Sequence, residues 1–238
     1  AHGAYAQSAE YFRSTKMFAD DTRSPHPRSL ALIAIDASAR AGTDFDRERQ
    51  HYQQHLQREE VGSDLSRSAF LHAALGVIAW HEDDTSSAVS HLETSHDCYT
   101  NKARTRYSRL SELDLAKMDI FVLTTLAQIE CIRGNGEAAY HHTEAALELA
   151  RCFFIVPYAF KCLVVAARWY AAQNQLLSAV KFCALVQNNA QAFAADREAA
   201  HALLSAIEEH VTGEAFTTAI EQGRLMTLEA AVDMHSQR

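Results

Sequence analysis

Glycine and proline are scarce in this chain, at 8 and 3 of 238 residues. Both disfavour helix interiors, so their scarcity beside plentiful Ala and Leu points to an all-helical protein. Positive charge is also short. Lys and Arg number 22 against 30 Asp and Glu, a net charge of −8. That balance excludes direct contact with duplex nucleic acid, which needs a basic face to displace counterions. No apolar run is long enough to span a bilayer, and the N-terminal stretch lacks the apolar core of a secretory signal. The expectation is a cytoplasmic chain with no membrane partner. Five cysteines (Cys98, Cys131, Cys152, Cys162, Cys183) form no C-x-x-C pair. They read as reduced core thiols, not as a disulfide framework or a zinc site. The G-x-x-x-x-G-K-[ST] motif is absent as well, so no P-loop nucleotide site lies in this sequence.

What the chain does contain is a repeat. Leu123-x2-Leu126-Ala127-x2-Glu130 is followed by Ala139-x3-Thr143-x2-Ala146, and 40 residues later Leu163-x2-Ala166-Ala167-x2-Tyr170 is followed by Ala179-x3-Cys183-x2-Val186. The pattern is clearest upstream, in His72-x2-Leu75-Gly76-x2-Ala79 and Ala88-x3-Leu92-x2-Ser95. In each copy a small residue on one helix precedes a small residue on the next by 12 positions. This is a degenerate tetratricopeptide pattern, in which two antiparallel helices touch where side chains shrink. The fold expected is an all-α, tetratricopeptide-like superhelix of antiparallel helix pairs.

Taken in order, the chain predicts helical repeats over 1–195, with a half repeat at 1–20 and units near 29–62, 69–102, 120–153 and 160–193. The half repeat suggests a piece of a longer protein. The second-helix positions Ser8, Glu48, Ala88, Ala139 and Ala179 are spaced 40, 40, 51 and 40, which puts 11 additional residues in the 103–119 region. Asp44 is expected to cap the helix that runs to Glu60. Residues 196–238 read as capping helices of the same domain. Asp196 caps the first of them, Gly213 breaks it, Gly223 ends the second and Thr227 caps the last.

The C-terminal run carries Gly213-Glu214-Ala215-Phe216, Ala219, Gly223 and Leu225 to Val232. It resembles the closing segment of the helical-repeat region in bacterial LuxR-type transcriptional activators with a STAND-class ATPase module, and in related signalling ATPases. Met226 and Ala230 depart from that pattern. The resemblance implies a sensor region that binds an inducer or partner and releases autoinhibition, the ATPase and DNA-binding modules lying outside this chain. The alternative is a free-standing tetratricopeptide adaptor or chaperone-like scaffold.

Chemistry-bearing constellations are few. His51 and His55 lie one helical turn apart, a spacing able to hold a metal, but no third ligand accompanies them and a solvated face is the reading. His141-His142 point apart. His81-Glu82-Asp83-Asp84 reads as a solvated turn. Asp36 and Glu48 would serve a helical enzyme only as a close pair in a pocket; pairing of Asp36 with Arg40, one turn away, is preferred. No Ser/His/Asp or Cys/His spacing specifies a nucleophile. The expectation is therefore a non-enzymatic chain with no metal and no cofactor.

The first helices of a repeat array line its concave face. Counting from Asp36, Gly76, Ala127 and Ala167, the register turns Arg40, Phe70, Trp80, His81, Phe121, Thr124, Gln128, Lys161 and Arg168 inward, with Ala73, Val77 and Val164 among them. Aromatic anchors beside cationic groups suit a protein partner or a small anionic inducer in that groove. The competing use of the same surface is packing against a capping helix or, in a homodimer, against a neighbouring subunit.

Overall fold

The computed structural model describes residues 26–40, 44–59, 65–102, 112–211 and 213–237. Among them every regular element is helical: α1 (His26–Arg40), α2 (Asp46–Glu59), α3 (Leu65–His81), α4 (Thr85–Asp97), α5 (Glu112–Arg133), α6 (Gly136–Cys152), α7 (Val156–Ala172), α8 (Leu176–Gln187), α9 (Ala194–Glu208), α10 (Glu214–Leu225) and α11 (Leu228–Ser236). A π-helical turn, Cys98–Lys102, follows α4. The all-helical expectation holds. The expected half repeat at 1–20, the Gly42 stop and most of the 103–119 insertion lie outside the described residues. What is described of the insertion is the start of α5, which begins a turn earlier than its counterparts α3 and α7 relative to their small residues.

The chain divides into two units, 1–122 and 123–238, and the division falls within α5. In the first unit α3 packs on α4, and both α1 and α2 pack on α3. In the second, α7 packs on α6 and α8, α8 on α9 and α10, and α11 on α6 and α7.

Local chemistry explains why helices turn where they do. Asp83, Gly134 and Asn174 adopt left-handed backbone at φ 62°, 76° and 58°. Asp, Asn and Gly are the residues that enter that region at least cost. The next residue closes the turn on a carbonyl five residues back: Asp84 N–H to Ala79 O at 3.0 Å, Asn135 to Glu130 at 2.9 Å and Gln175 to Tyr170 at 2.8 Å. These bonds satisfy carbonyls that a helix C-terminus otherwise leaves bare. Asp84 and Asn135 then accept from Ser87 N and Ala138 N and so start the following helix. The same turn therefore recurs at the period of the sequence repeat.

The small positions behave as the pattern demands. Ala88, Ala127, Ala139, Ala167 and Ala179 are fully buried. A Cβ placed on Gly76 would lie 2.7 Å from Leu92 Cγ and 3.2 Å from the Ala88 carbonyl. Glycine is thus what lets α3 and α4 approach.

Two terminal assignments are corrected. Asp196 is not a cap: α9 begins at Ala194 after Phe193, and Asp196 is buried within its first turn. Gly223 does not end α10, which continues to Leu225. A Cβ there would sit 2.4 Å from the Lys181 carbonyl oxygen, so the glycine serves close packing of α10 on α8 rather than helix termination. The caps at Asp44 and Thr227 are present, accepting from Asp46 N and Ala230 N at 3.0 and 3.1 Å.

Candidate functional site

In the first unit, Asp36 gathers two of the expected residues. Arg40 donates to its Oδ2 through Nε at 3.2 Å and Nη2 at 2.9 Å, and His81 Nε2 lies 2.9 Å from its Oδ1. The Asp36–Arg40 pairing read from the sequence is therefore in place. Arg40 is exposed, His81 and Trp80 half-buried. Beside them Glu82 pairs with Arg49 of α2.

Phe70 and Phe121 do not fit an open groove. Both are buried, and Phe70 meets the ring of Tyr52 edge-on at 6.2 Å. Thr124, Ala73, Val77 and Val164 are buried as well. Helices α3, α5 and α7 are apolar around most of their circumference, so positions counted as inward on a repeat array here pack into the core.

In the second unit, two of the expected residues meet. Arg168 Nη1 donates to Gln128 Oε1 at 3.3 Å across 40 residues, side by side on α7 and α5. Lys161, two turns earlier on α7, is half-buried like both of them. Arg168 also bears on the neighbouring thiols. Burial pushes Cys131 up to about 11 and Cys183 to about 12, with the guanidinium opposing in each case. Those thiols are poor nucleophiles at neutral pH.

Sequence reasoning overlooked an aromatic cluster around His235 of α11. Its fully buried imidazole lies 4.9 Å from the Tyr140 ring, 6.0 Å from Trp169 and 5.9 Å from Tyr170, centre to centre. The hydroxyls of Tyr140 and Tyr170 donate to the carbonyls of His235 and Met234, each at 3.3 Å. Trp169 Nε1 donates to the Gly136 carbonyl at 2.6 Å. Next to this cluster is an open cleft of about 570 Å³ lined by Gly134, Gly136, Glu137, Tyr140, Trp169 and Gln173. The aromatic residues were visible in the sequence, but their convergence needs α11, which lies outside the repeat register.

Histidine contacts were missed as well. His72 Nδ1 and His91 Nδ1 face each other at 2.9 Å from α3 and α4. His96 Nδ1 lies 2.7 Å from Oδ1 of the buried Asp119. His55 is occupied differently: Arg67 Nη2 donates to its Nδ1 at 2.9 Å. A guanidinium at that nitrogen opposes a cation there. Among the described residues no group of three or more His, Cys, Asp or Glu is placed to hold a metal.

Comparison with family models, curated proteins and solved structures finds no match to the chain. Geometry and chemistry alone carry the functional reading.

The histidines make stability pH-dependent in opposite senses. Burial, then His91, lowers His72 from 6.5 to about 4. His91 is lowered by burial, with Asp84 opposing. The hydrogen bond to Asp119 raises His96. For His72, stability is complete above about 6.5 and is lost as pH falls toward 4, and His91 acts in the same direction. For His96 it is complete below 6.5 and lost as pH rises through its folded value. The wild-type melting temperature should therefore fall more steeply than that of His72→Gln on acidification from neutral pH. Parallel curves would show that burial does not hold His72 neutral.

Proposed function

We propose that this chain is a non-catalytic binding module whose helix hairpins stack as a tetratricopeptide-like array, serving as the sensor region of a bacterial transcriptional regulator or signalling ATPase. The observation that supports it is the Arg168–Gln128 hydrogen bond, which joins first helices 40 residues apart in the register of a repeat. An array of this kind presents a continuous row of first-helix side chains to a partner. Lys161 and Arg168 place positive charge on that row in a chain of net charge −8, which suits a carboxylate-bearing protein segment or a small anionic inducer. The shared turn geometry at Asp83, Gly134 and Asn174 also favours repetition of one structural unit.

A free-standing adaptor would use the same surface, so the binding test serves both. Peptides selected from a random display library against the whole chain are titrated against wild type, Arg168→Ala, Lys161→Ala and the α6 control Glu144→Ala. Removing Arg168 should cost about 1.5–3 kcal/mol of binding, a hydrogen bond to a charged group, which is roughly 10- to 150-fold in Kd. Glu144→Ala should bind like wild type. Equal affinity in all four proteins would remove the first-helix row as the binding surface.

A further inference from the structure

Between the start of α6 and the end of α7 the second unit opens a cleft of about 570 Å³. That volume falls among small-ligand pockets, which run from about 300 to about 1,000 Å³. Helix α6 supplies Gly136, Glu137 and Tyr140 to the wall, and α7 supplies Trp169 and Gln173. Each set shares one helix face, because residues three and four apart are neighbours. Gly136 keeps the floor bare: a Cβ there would lie 2.5 Å from Gln173 Nε2 and 3.5 Å from Trp169 Nε1. Tyr140 is half-buried and Trp169 backs it, with ring centres 5.3 Å apart and planes tilted by 48°.

Which polar groups are already engaged decides what this wall offers a ligand. The Trp169 N–H donates to the Gly136 carbonyl and the Tyr140 hydroxyl to the His235 carbonyl, so both donors are used within the fold. The rings are left with their electron-rich faces to offer. Glu137 and Gln173 are exposed, and among the described residues their side chains make no hydrogen bond or ion pair. Arg133, the nearest arginine or lysine along the chain, is held by Glu130 at 2.7 Å instead. No Lys, Arg or His lines the cleft. Its one charge is therefore the Glu137 carboxylate, uncompensated beside an aromatic pair.

We propose that this cleft binds a quaternary ammonium group, with Glu137 as its counter-charge and Tyr140 and Trp169 as its aromatic wall. A cation within about 6 Å of a Trp or Tyr ring centre is drawn by the ring quadrupole. A primary ammonium brings three N–H donors, and Glu137 and Gln173 cover only part of that need. A quaternary head has no donor to satisfy, and its methyl groups pack on the rings as apolar surface. Amides at the start of a helix draw anions. Here Asn135 already accepts from Ala138 N, and the Glu137 carboxylate in the same turn repels a second negative charge. Lys161 and Arg168, the charges of the first-helix row, do not line the cleft, so the two sites take ligands of opposite sign.

The test is a choline titration of the whole chain carrying Trp80→Phe, at constant ionic strength. Trp169 is then the one tryptophan, and its fluorescence and indole N–H resonance are the readouts. Choline should give a saturable change at Trp169. Glu137→Gln, which keeps the shape and removes the charge, should weaken it by about tenfold. Dimethylbutanol, the uncharged isostere of choline, should bind about tenfold or more weakly than choline. Glu144→Gln, further along α6, should behave like the parent. Tyr140 also anchors α11, so Tyr140→Leu is read beside Tyr140→Phe, which keeps the ring and should retain binding. A trimethyllysine peptide that displaces choline assigns the ammonium group to a protein segment; failure to displace it assigns a free small molecule. Absence of any change at Trp169 on adding choline would overturn the proposal. So would equal binding of dimethylbutanol, unchanged affinity in Glu137→Gln, or displacement of choline by inorganic phosphate. Glu137 is exposed, so its variant keeps the test valid even where Tyr140→Leu loosens the fold.

Discussion

Replacing Tyr170 by alanine should destabilise the second unit by about 3–5 kcal/mol, the scale of emptying a large buried aromatic site. Tyr170 is among the largest fully buried side chains, at 1 % exposure. Its ring meets Phe182 at 5.2 Å and Trp169 at 4.9 Å, both edge-on, and His235 at 5.9 Å. Its hydroxyl holds the Met234 carbonyl and so fastens α11 to α7. Tyr170→Phe keeps the ring and removes the hydroxyl that makes this bond, and should cost about 0.5–1.5 kcal/mol. The two tryptophans, Trp80 and Trp169, fall one in each unit, so urea unfolding followed by fluorescence in a Trp80→Phe background reports on the second unit. A loss of less than about 1 kcal/mol in Tyr170→Ala would mean that α11 is not docked through this cluster.

Helix placement was legible because it is written in short-range chemistry. Asp83-Asp84 and Gly134-Asn135 are residues that enter left-handed backbone and then cap the next helix, and such preferences survive whatever packs around them. Small residues 12 apart were equally readable, since steric exclusion at Gly76 admits no larger side chain without movement of Leu92. Gly223 shows where this logic fails. A glycine near a helix end reads as a stop, yet here the missing side chain makes room for the Lys181 backbone, and only the tertiary contact reveals it. Asp196 failed likewise, because its burial inside the first turn depends on the packing of α9 against α8 and α7.

The candidate site was legible in part. Arg40 and Asp36 are one turn apart on one helix, and Arg168 and Gln128 are one period apart, so each pair is fixed by a local rule. Phe70, Phe121 and Thr124 were misplaced because inward on a repeat register does not separate a groove-lining position from a core position. That depends on how wide an apolar face each helix buries, a property of the neighbours. His72 and His91 lie on the helix pair that Gly76 and Ala88 set against each other, whereas the His235 contacts carry no sequence signal. They arise where side chains from different helices meet at depth, and thirteen histidines offer many pairings of which packing selects a few.

The repeat register has its own test in overpacking. Ala139 and Ala179, the second-helix small positions of the two best-defined copies, are fully buried, with Thr143 and Cys183 one turn on and equally buried. Ala139→Leu and Ala179→Leu each insert three carbons where no space exists, and each should cost about 1–3 kcal/mol. Helix propensity does not confuse the result, because leucine is nearly as good a helix former as alanine. Ala145 lies on the exposed side of α6, and Ala145→Leu should change stability by no more than about 0.5 kcal/mol. The three variants share one chemical change and differ only in burial, so their unfolding midpoints in urea isolate the packing contribution. Destabilisation at 139 and 179 with silence at 145 is the signature of helices touching at their small residues. Neutral shifts at both 139 and 179 would mean that the helix pairs approach through other positions, and the 40-residue register would then no longer support a repeat array.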